Sequence, residues 1–246
     1  MIEKKFDTPR PIRLDVRVLT ADIAIATVDG AESSVVVTGA DRMLDATTVE
    51  LVGDRLVIEM QRKLFGRWGP QMRGEDLRVR VTLPHHSRAE VHYASGDAVL
   101  DGTLDRAELH SVSGGIRTIG EVLGDFVIKT VSGNARLAHV GGDLTASGVS
   151  GDVTVDSVGG SVTVKSVSGN IRVGSVREGQ VKVQSVSGDV EIGIAAGSNL
   201  DVDASSASGV LSSEVPLSGR PGSGKGPTVK LRGKTVSGDV RLFRAA

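Results

Sequence analysis

Between Gly133 and Ser187 the chain says nearly the same thing six times: GNARLAHVG, GDLTASGVS, GDVTVDSVG, GSVTVKSVS, GNIRVGSVRE and GQVKVQSVS. Each unit opens on glycine, usually followed by Asp or Asn. An apolar–variable–apolar triplet comes next, then a small residue and Val with Ser or Gly. A nine- or ten-residue unit of this kind is too short to bury its apolar residues alone, so it becomes stable only by stacking on its neighbours. The repeat therefore predicts architecture before it says anything about chemistry.

Stronger punctuation falls at every second unit. Ser-Gly pairs recur at Ser95-Gly96, Ser113-Gly114, Ser132-Gly133, Ser150-Gly151, Ser168-Gly169 and Ser187-Gly188, with glycine spacings of 18, 19, 18, 18 and 19 residues. Weaker half-way copies begin at Gly124, Gly142, Gly160 and Gly179. One coil thus comprises two halves. Within a half the third, fifth and eighth residues are apolar, as in Val153, Val155 and Val158 or Val162, Val164 and Val167. The phase changes between the fifth and eighth, so a corner is expected there if all three side chains point inward.

The predicted fold is all-β: a single-stranded parallel β-solenoid (β-helix) with 18–19 residues per coil and an N-terminal β-rich capping region. The whole chain, 1–246, is read as one solenoid domain. Residues 1–90 form the N-terminal strands and cap, 91–215 the regular coils, 216–227 (PLSGRPGSGKGP from Pro216) a flexible insertion, and 228–246 a terminal coil. Short alternating runs at Ile12–Leu19, Asp22–Thr27, Ser34–Thr38, Thr48–Val52, Arg55–Gln61 and Leu77–Leu83 read as half-buried strands. No amphipathic helix is expected. The core must be aliphatic, since the chain has 32 glycines but only four Phe, one Tyr and one Trp.

Composition excludes several function classes. With 29 Lys+Arg against 30 Asp+Glu, net charge gives no reason to expect specific nucleic-acid binding, although local patches can still bind an anionic polymer or membrane surface. The absence of cysteine removes disulfide and thiolate chemistry. No signal sequence or apolar segment of spanning length is seen, so a cytoplasmic location is expected.

Copies such as SVSGNI at Ser166–Ile171 and SVSGDV at Ser185–Val190 resemble a bacterial β-strand-repeat family of unknown function whose members are called candidate adhesins. Ala204–Val210 and the closing VSGDVRLF carry the same likeness. The resemblance implies a parallel β-solenoid without an established catalytic site, and some members are linked with cell-envelope stress responses.

Candidate sites lie mostly where the repeat is broken. The segment 62–73, RKLFGRWGPQMR, reads as a projecting loop, with Arg62, Lys63, Phe65, Arg67, Trp68 and Arg73 as a partner-binding group. The alternative is that Phe65 and Trp68 fold back to cap the first coil. Arg117, Arg136 and Arg172 occupy the fourth position of equivalent halves, interrupted by Thr154, and would form a basic stripe. A solvated face that discourages sideways aggregation explains it equally well. The post-glycine carboxylates Asp97, Asp125, Asp143, Asp152, Asp189 and Asp239 sit where a carboxylate serves its own turn, and Asn134 and Asn170 replace them. They read as turn residues rather than a catalytic pair. His85, His86 and His92 lie close in sequence but lack a metal-site spacing.

The chain is accordingly read as a non-enzymatic, adhesin-like scaffold with no cofactor, catalytic residue or metal. Its expected partners are another protein or a second copy of itself, with an anionic polymer or membrane surface next. The alternatives are a self-assembling, filament-forming structural protein and a carbohydrate-active or carbohydrate-binding solenoid.

Overall fold

Alternation of Val, Ile and Leu with polar residues, cut by glycine turns, produces 24 strands and one short helix among the described residues. The computed structural model describes residues 1–61, 77–215 and 226–245. The chain divides into two compact units, Met1–Glu121 and Val122–Ala246. That division falls inside 91–215, the stretch expected to form the regular coils. The turn at Ser95 already bridges to Thr20, which ties the first Ser-Gly repeats to the N-terminal strands.

The first unit contains β1 (Ile2–Asp7), β2 (Arg13–Arg17), β3 (Ala21–Val28), β4 (Glu32–Thr38), β5 (Thr47–Val52) and β6 (Arg55–Met60). It continues with β7 (Leu77–Pro84), β8 (Ser87–His92), β9 (Ala98–Asp101), β10 (Thr103–His110) and β11 (Ile116–Thr118). One column runs β5–β6–β2–β8–β10, and the other runs β1–β4–β7–β3–β9–β11. The β5–β6, β1–β4 and β4–β7 pairs are antiparallel and the rest parallel. Each inner layer is aliphatic, as where Leu56, Leu14 and Ala89 stand in register. The helix α1 (Asp41–Asp45), which the sequence pattern missed, buries Met43 and Leu44. Five residues are too few to display a helical period.

A two-residue strand, β12 (Glu121–Val122), lies at the division. The second unit contains β13 (Phe126–Lys129), β14 (Ala135–Val140), β15 (Leu144–Ser147), β16 (Val153–Val158), β17 (Val162–Ser168) and β18 (Ile171–Val176). Then follow β19 (Gly179–Ser187), β20 (Val190–Ile194), β21 (Asn199–Ser208), β22 (Leu211–Ser213), β23 (Thr228–Ser237) and β24 (Val240–Arg244). All pairings described within this unit are parallel. They form two columns, β13–β15–β17–β19–β23–β21 and β14–β16–β18–β20–β24–β22. Through β20 the paired residues are 18 or 19 apart, as Thr154↔Arg172 and Arg172↔Glu191, which is the coil period.

The segment expected to be the terminal coil is not terminal in space. β23 and β24 insert between β19–β20 and β21–β22, so the chain passes one level beyond and then returns to fill the gap. Both positions offer a parallel edge of the same register. Insertion lets β23 and β24 satisfy backbone hydrogen bonds on both sides. The first unit shows the same device: β2 and β3 lie between β6–β7 and β8–β9.

The two halves of a coil also differ in a way the apolar pattern conceals. The eighth residue points inward in one set, with Val140, Val158 and Val176 nearly fully buried. In the Ser-Val-Ser set it points out: Val149, Val167, Val186 and Val236 are 49%, 48%, 49% and 55% exposed. There the preceding hydroxyl donates to the carbonyl two residues on, from Ser166 to Ser168 at 3.1 Å, Ser185 to Ser187 at 3.2 Å and Thr235 to Ser237 at 3.1 Å. The hydroxyl takes the inner place and the valine is displayed outside.

Candidate functional site

Each turn carboxylate accepts a backbone hydrogen bond through one of its oxygens. Asn134 Oδ1 accepts from the backbone N–H of Asp152 at 2.9 Å, Asp152 from Asn170 at 2.8 Å, and Asn170 from Asp189 at 3.0 Å. The ladder continues from Asp189 to the N–H of Asp239 at 2.9 Å, and from Asp239 to that of Val210 at 2.8 Å. A second ladder links Asp125, Asp143 and Ser161. In the first unit Asp97 accepts from Gly115 at 2.7 Å. Each side chain therefore serves the next turn in the column rather than its own, as the sequence reading had it. The role needs only an sp² oxygen, which is why Asn substitutes.

The three histidines noted in the sequence separate. His85 Nδ1 lies 2.7 Å from Thr27 Oγ1, His86 Nδ1 lies 3.0 Å from Asp105, and His92 Nε2 lies 2.9 Å from Glu90. The ring of His92 instead stacks on His110 with centroids 4.4 Å apart, an alignment set by the β8–β10 register. Among the described residues no group of three or more His, Cys, Asp or Glu is arranged to hold a metal.

One stretch of the arginine stripe lies within the second unit. Arg136, Thr154 and Arg172 do form one row on β14, β16 and β18. Arg172, however, pairs with Glu191 and lies 5.4 Å from the ring of Phe243, so its charge is already spoken for. Arg117 sits in the first unit beside Val99 on β9. Arg62, Lys63, Phe65, Arg67, Trp68 and Arg73 lie outside the described residues.

A stronger cationic group stands on the other column. Outward positions of β17, β19, β23 and β21 align in rows: Thr163, Lys182, Arg232 and Asp203, then Lys165, Gln184, Lys234 and Ser205. Lys230 extends the group along β23, opposite Asp201. Lys165, Lys182, Lys230, Arg232 and Lys234 are all exposed. The two rows wall a groove of about 510 Å³ whose floor is the strand backbone at Val164, Val183 and Gly233. The exposed valines border the same face, since Val167, Val186 and Val236 fall in the next row.

Neighbouring side chains across a parallel ladder are about 4.8 Å apart at the backbone, and alternate residues along a strand about 6.7 Å. Lys182 and Arg232 are thus like charges held side by side, which costs stability. Some surface cations elsewhere are paired, as in Lys5–Glu32 at 3.0 Å and Arg241–Glu214 at 2.6 Å. The four cations of the groove, and Lys230 beside them, form no ion pair with another described residue. Sequence reading missed them because Lys182 and Arg232 meet only through the insertion of β23.

With this geometry in view, similarity to known proteins takes on meaning. The family model for Toastrack DUF4097 matches residues 12–243. The chain belongs to that family. Among solved structures, the Toastrack chain is similar to a candidate adhesin from Parabacteroides distasonis, at 15% identity and a TM-score of 0.59, over 98% of this chain and 96% of the other. A candidate adhesin from Bacteroides fragilis is matched at 14% identity and a TM-score of 0.43, over 98% and 96%. No curated protein sequence matches it. The first of these likenesses extends to the fold alone. No helix among the described residues is long and apolar enough to cross a membrane.

Proposed function

We propose that this Toastrack chain is a non-enzymatic, adhesin-like interaction scaffold built on the β-solenoid principle, and that the outer face of β17, β19 and β23 is its contact surface. The carrying observation is how the polar side chains are used. The repeated carboxylates, which a solenoid hydrolase would need paired on one face, each lend one oxygen to the turn ladders. The groove cations, in contrast, are held in register without an ion pair among the described residues. Its similarity in fold to candidate adhesins supports a surface or protein contact.

The test is incubation of the purified protein with a panel of neutral and acidic polysaccharides, reading new reducing ends. None is expected above the blank. Turnover that is lost in Asp152→Asn or Asp189→Asn, changes that preserve the ladder oxygen, would overturn the scaffold reading in favour of carboxylate catalysis.

A second reading, head-to-tail self-assembly, has one specific observation behind it. Among the described residues β21 and β22 are paired on one side only, by β23 and β24. An open parallel edge is a template for another chain. Sedimentation velocity across a wide concentration range tests it: growth of species with concentration, abolished by Leu211→Lys, supports assembly, and a constant monomer excludes it.

A further inference from the structure

We propose that the groove walled by Lys182, Arg232, Lys165 and Lys234 binds a linear carboxylated polysaccharide. The proposal deepens the scaffold reading and rests on it, by naming the partner's chemistry. Charge comes first. Five exposed cations share one face without an ion pair among the described residues, of which Asp201 and Asp203, on the outermost strand, oppose them. Holding Lys182 beside Arg232 is unfavourable until an anion arrives, so the face is matched to a polyanion.

Several kinds of polyanion fit this face less well. Single-stranded nucleic acid gains much of its sequence-tolerant affinity by stacking bases on aromatic side chains, and no aromatic residue is among the described residues that line the groove. An acidic peptide that adds to a sheet needs a free strand edge. Here β19 is paired by β17 and β23, and β23 by β19 and β21, so their backbone groups are already used. A membrane-seeking face carries long apolar or aromatic side chains beside its cations. The border here is a row of valines rooted in strands.

What remains on offer is side-chain ligation alone. In one row Lys165 and Lys234 alternate with the amide of Gln184 and the hydroxyl of Ser205, and in the other Thr163 and Asp203 flank the adjacent Lys182 and Arg232. Cations interspersed with neutral hydrogen-bonding side chains suit a polymer that carries both carboxylates and hydroxyls. The chain would lie across the strands, its carboxylates taken by Lys182 and Arg232 on one wall and by Lys165 and Lys234 on the other, with sugar hydroxyls meeting the neutral side chains between them.

The experiment is calorimetric titration of the full chain with polygalacturonate, alongside dextran, an oligothymidylate and phosphatidylglycerol vesicles. Polygalacturonate should bind, and should weaken about tenfold or more between 50 and 200 mM salt, as expected when several cations engage a polyanion. The triple variant Lys182→Gln, Arg232→Gln, Lys234→Gln should lose about tenfold, while Arg136→Gln on the other column should change it less than about twofold. Should the triple variant fail to fold by circular dichroism, Lys234→Gln alone is read, with an expected loss of about threefold, and Lys234→Arg should restore binding. Absence of polygalacturonate binding at low salt, equal binding to dextran, an unaffected groove variant, or tighter binding to the oligonucleotide or vesicles would each overturn the assignment. Those failures leave the scaffold reading standing, which only turnover of the polymer removes.

Discussion

Lys182 and Arg232 stand directly opposite one another on neighbouring parallel strands, although 50 residues separate them in sequence. The juxtaposition is a cost the fold carries, of about 0.2–1 kcal/mol for a directly facing like-charge pair. Lys182→Gln is therefore expected to raise the melting temperature at low ionic strength while weakening polyanion binding. Added salt should shrink the stabilisation by screening the pair in the parent protein. A variant that melts lower than the parent would show that Lys182 contributes to stability through some other contact.

The turn ladder predicts a difference between two small substitutions. Asp152→Asn keeps the oxygen that accepts from Asn170 N–H, and should alter stability by less than about 0.5 kcal/mol. Asp152→Ala removes it and should cost about 1 kcal/mol. Urea unfolding of the pair measures the contrast, and equal effects would mean the ladder bond carries little.

Gly169 is held at φ +126°, and a β-carbon there would lie 2.2 Å from the carbonyl oxygen of Gly151. Both constraints recur at Gly188, so the column of turns closes only with glycine. Gly169→Ala should destabilise by at least about 2 kcal/mol, combining backbone strain with displacement of the turn beneath it. Thermal melting of the variant is the check.

Removal of residues 228–246 should do more than shorten the second unit. β23–β24 separate β19–β20 from β21–β22, so truncation uncovers Val181, Val183 and Ile192 and strands β21–β22 without a neighbour. Hydrogen exchange of the truncated chain should accelerate throughout 179–213. Protection retained there would mean that β21–β22 can re-pair directly with β19–β20.

Tyr93, the one tyrosine of the chain, is buried, and that burial pushes its phenol up to about 12, with a hydrogen bond to Ser111 acting the other way. The folded state thus favours the neutral phenol relative to the unfolded chain, whose tyrosine titrates near 10. Its contribution is intact below pH about 10 and is lost as pH rises toward about 12, on the order of 2 kcal/mol in all. Ultraviolet titration of tyrosinate gives the midpoint, and Tyr93→Phe should flatten that part of the alkaline stability profile.

Much of the strand pattern was legible because burial in a stacked sheet imposes a strict local period. Gly133–Ser187 spells out its columns, and Thr154, Arg172 and Glu191 align as the 18- and 19-residue spacings require. Two local features escaped. The helix at Asp41–Asp45 is too short to carry a period. The outward turn of Val167 and Val186 depends on which polar group takes the inner position, and apolar spacing is blind to that.

The candidate site was far less visible. Arg136, Arg172 and Glu191 could be aligned from spacing, and the structure pairs Arg172 with Glu191 in that register, but the groove cations could not. The sequence by itself determined the strands, the turns and the coil period, because each follows from residues within one or two repeats of each other. Tertiary structure alone decided the order of the coils. The edge of β20 accepts β24 as readily as it would accept the next strand in the chain, since parallel pairing recognises register and side-chain size, not position in the sequence. That choice put β23 beside β19, and with it Arg232 beside Lys182.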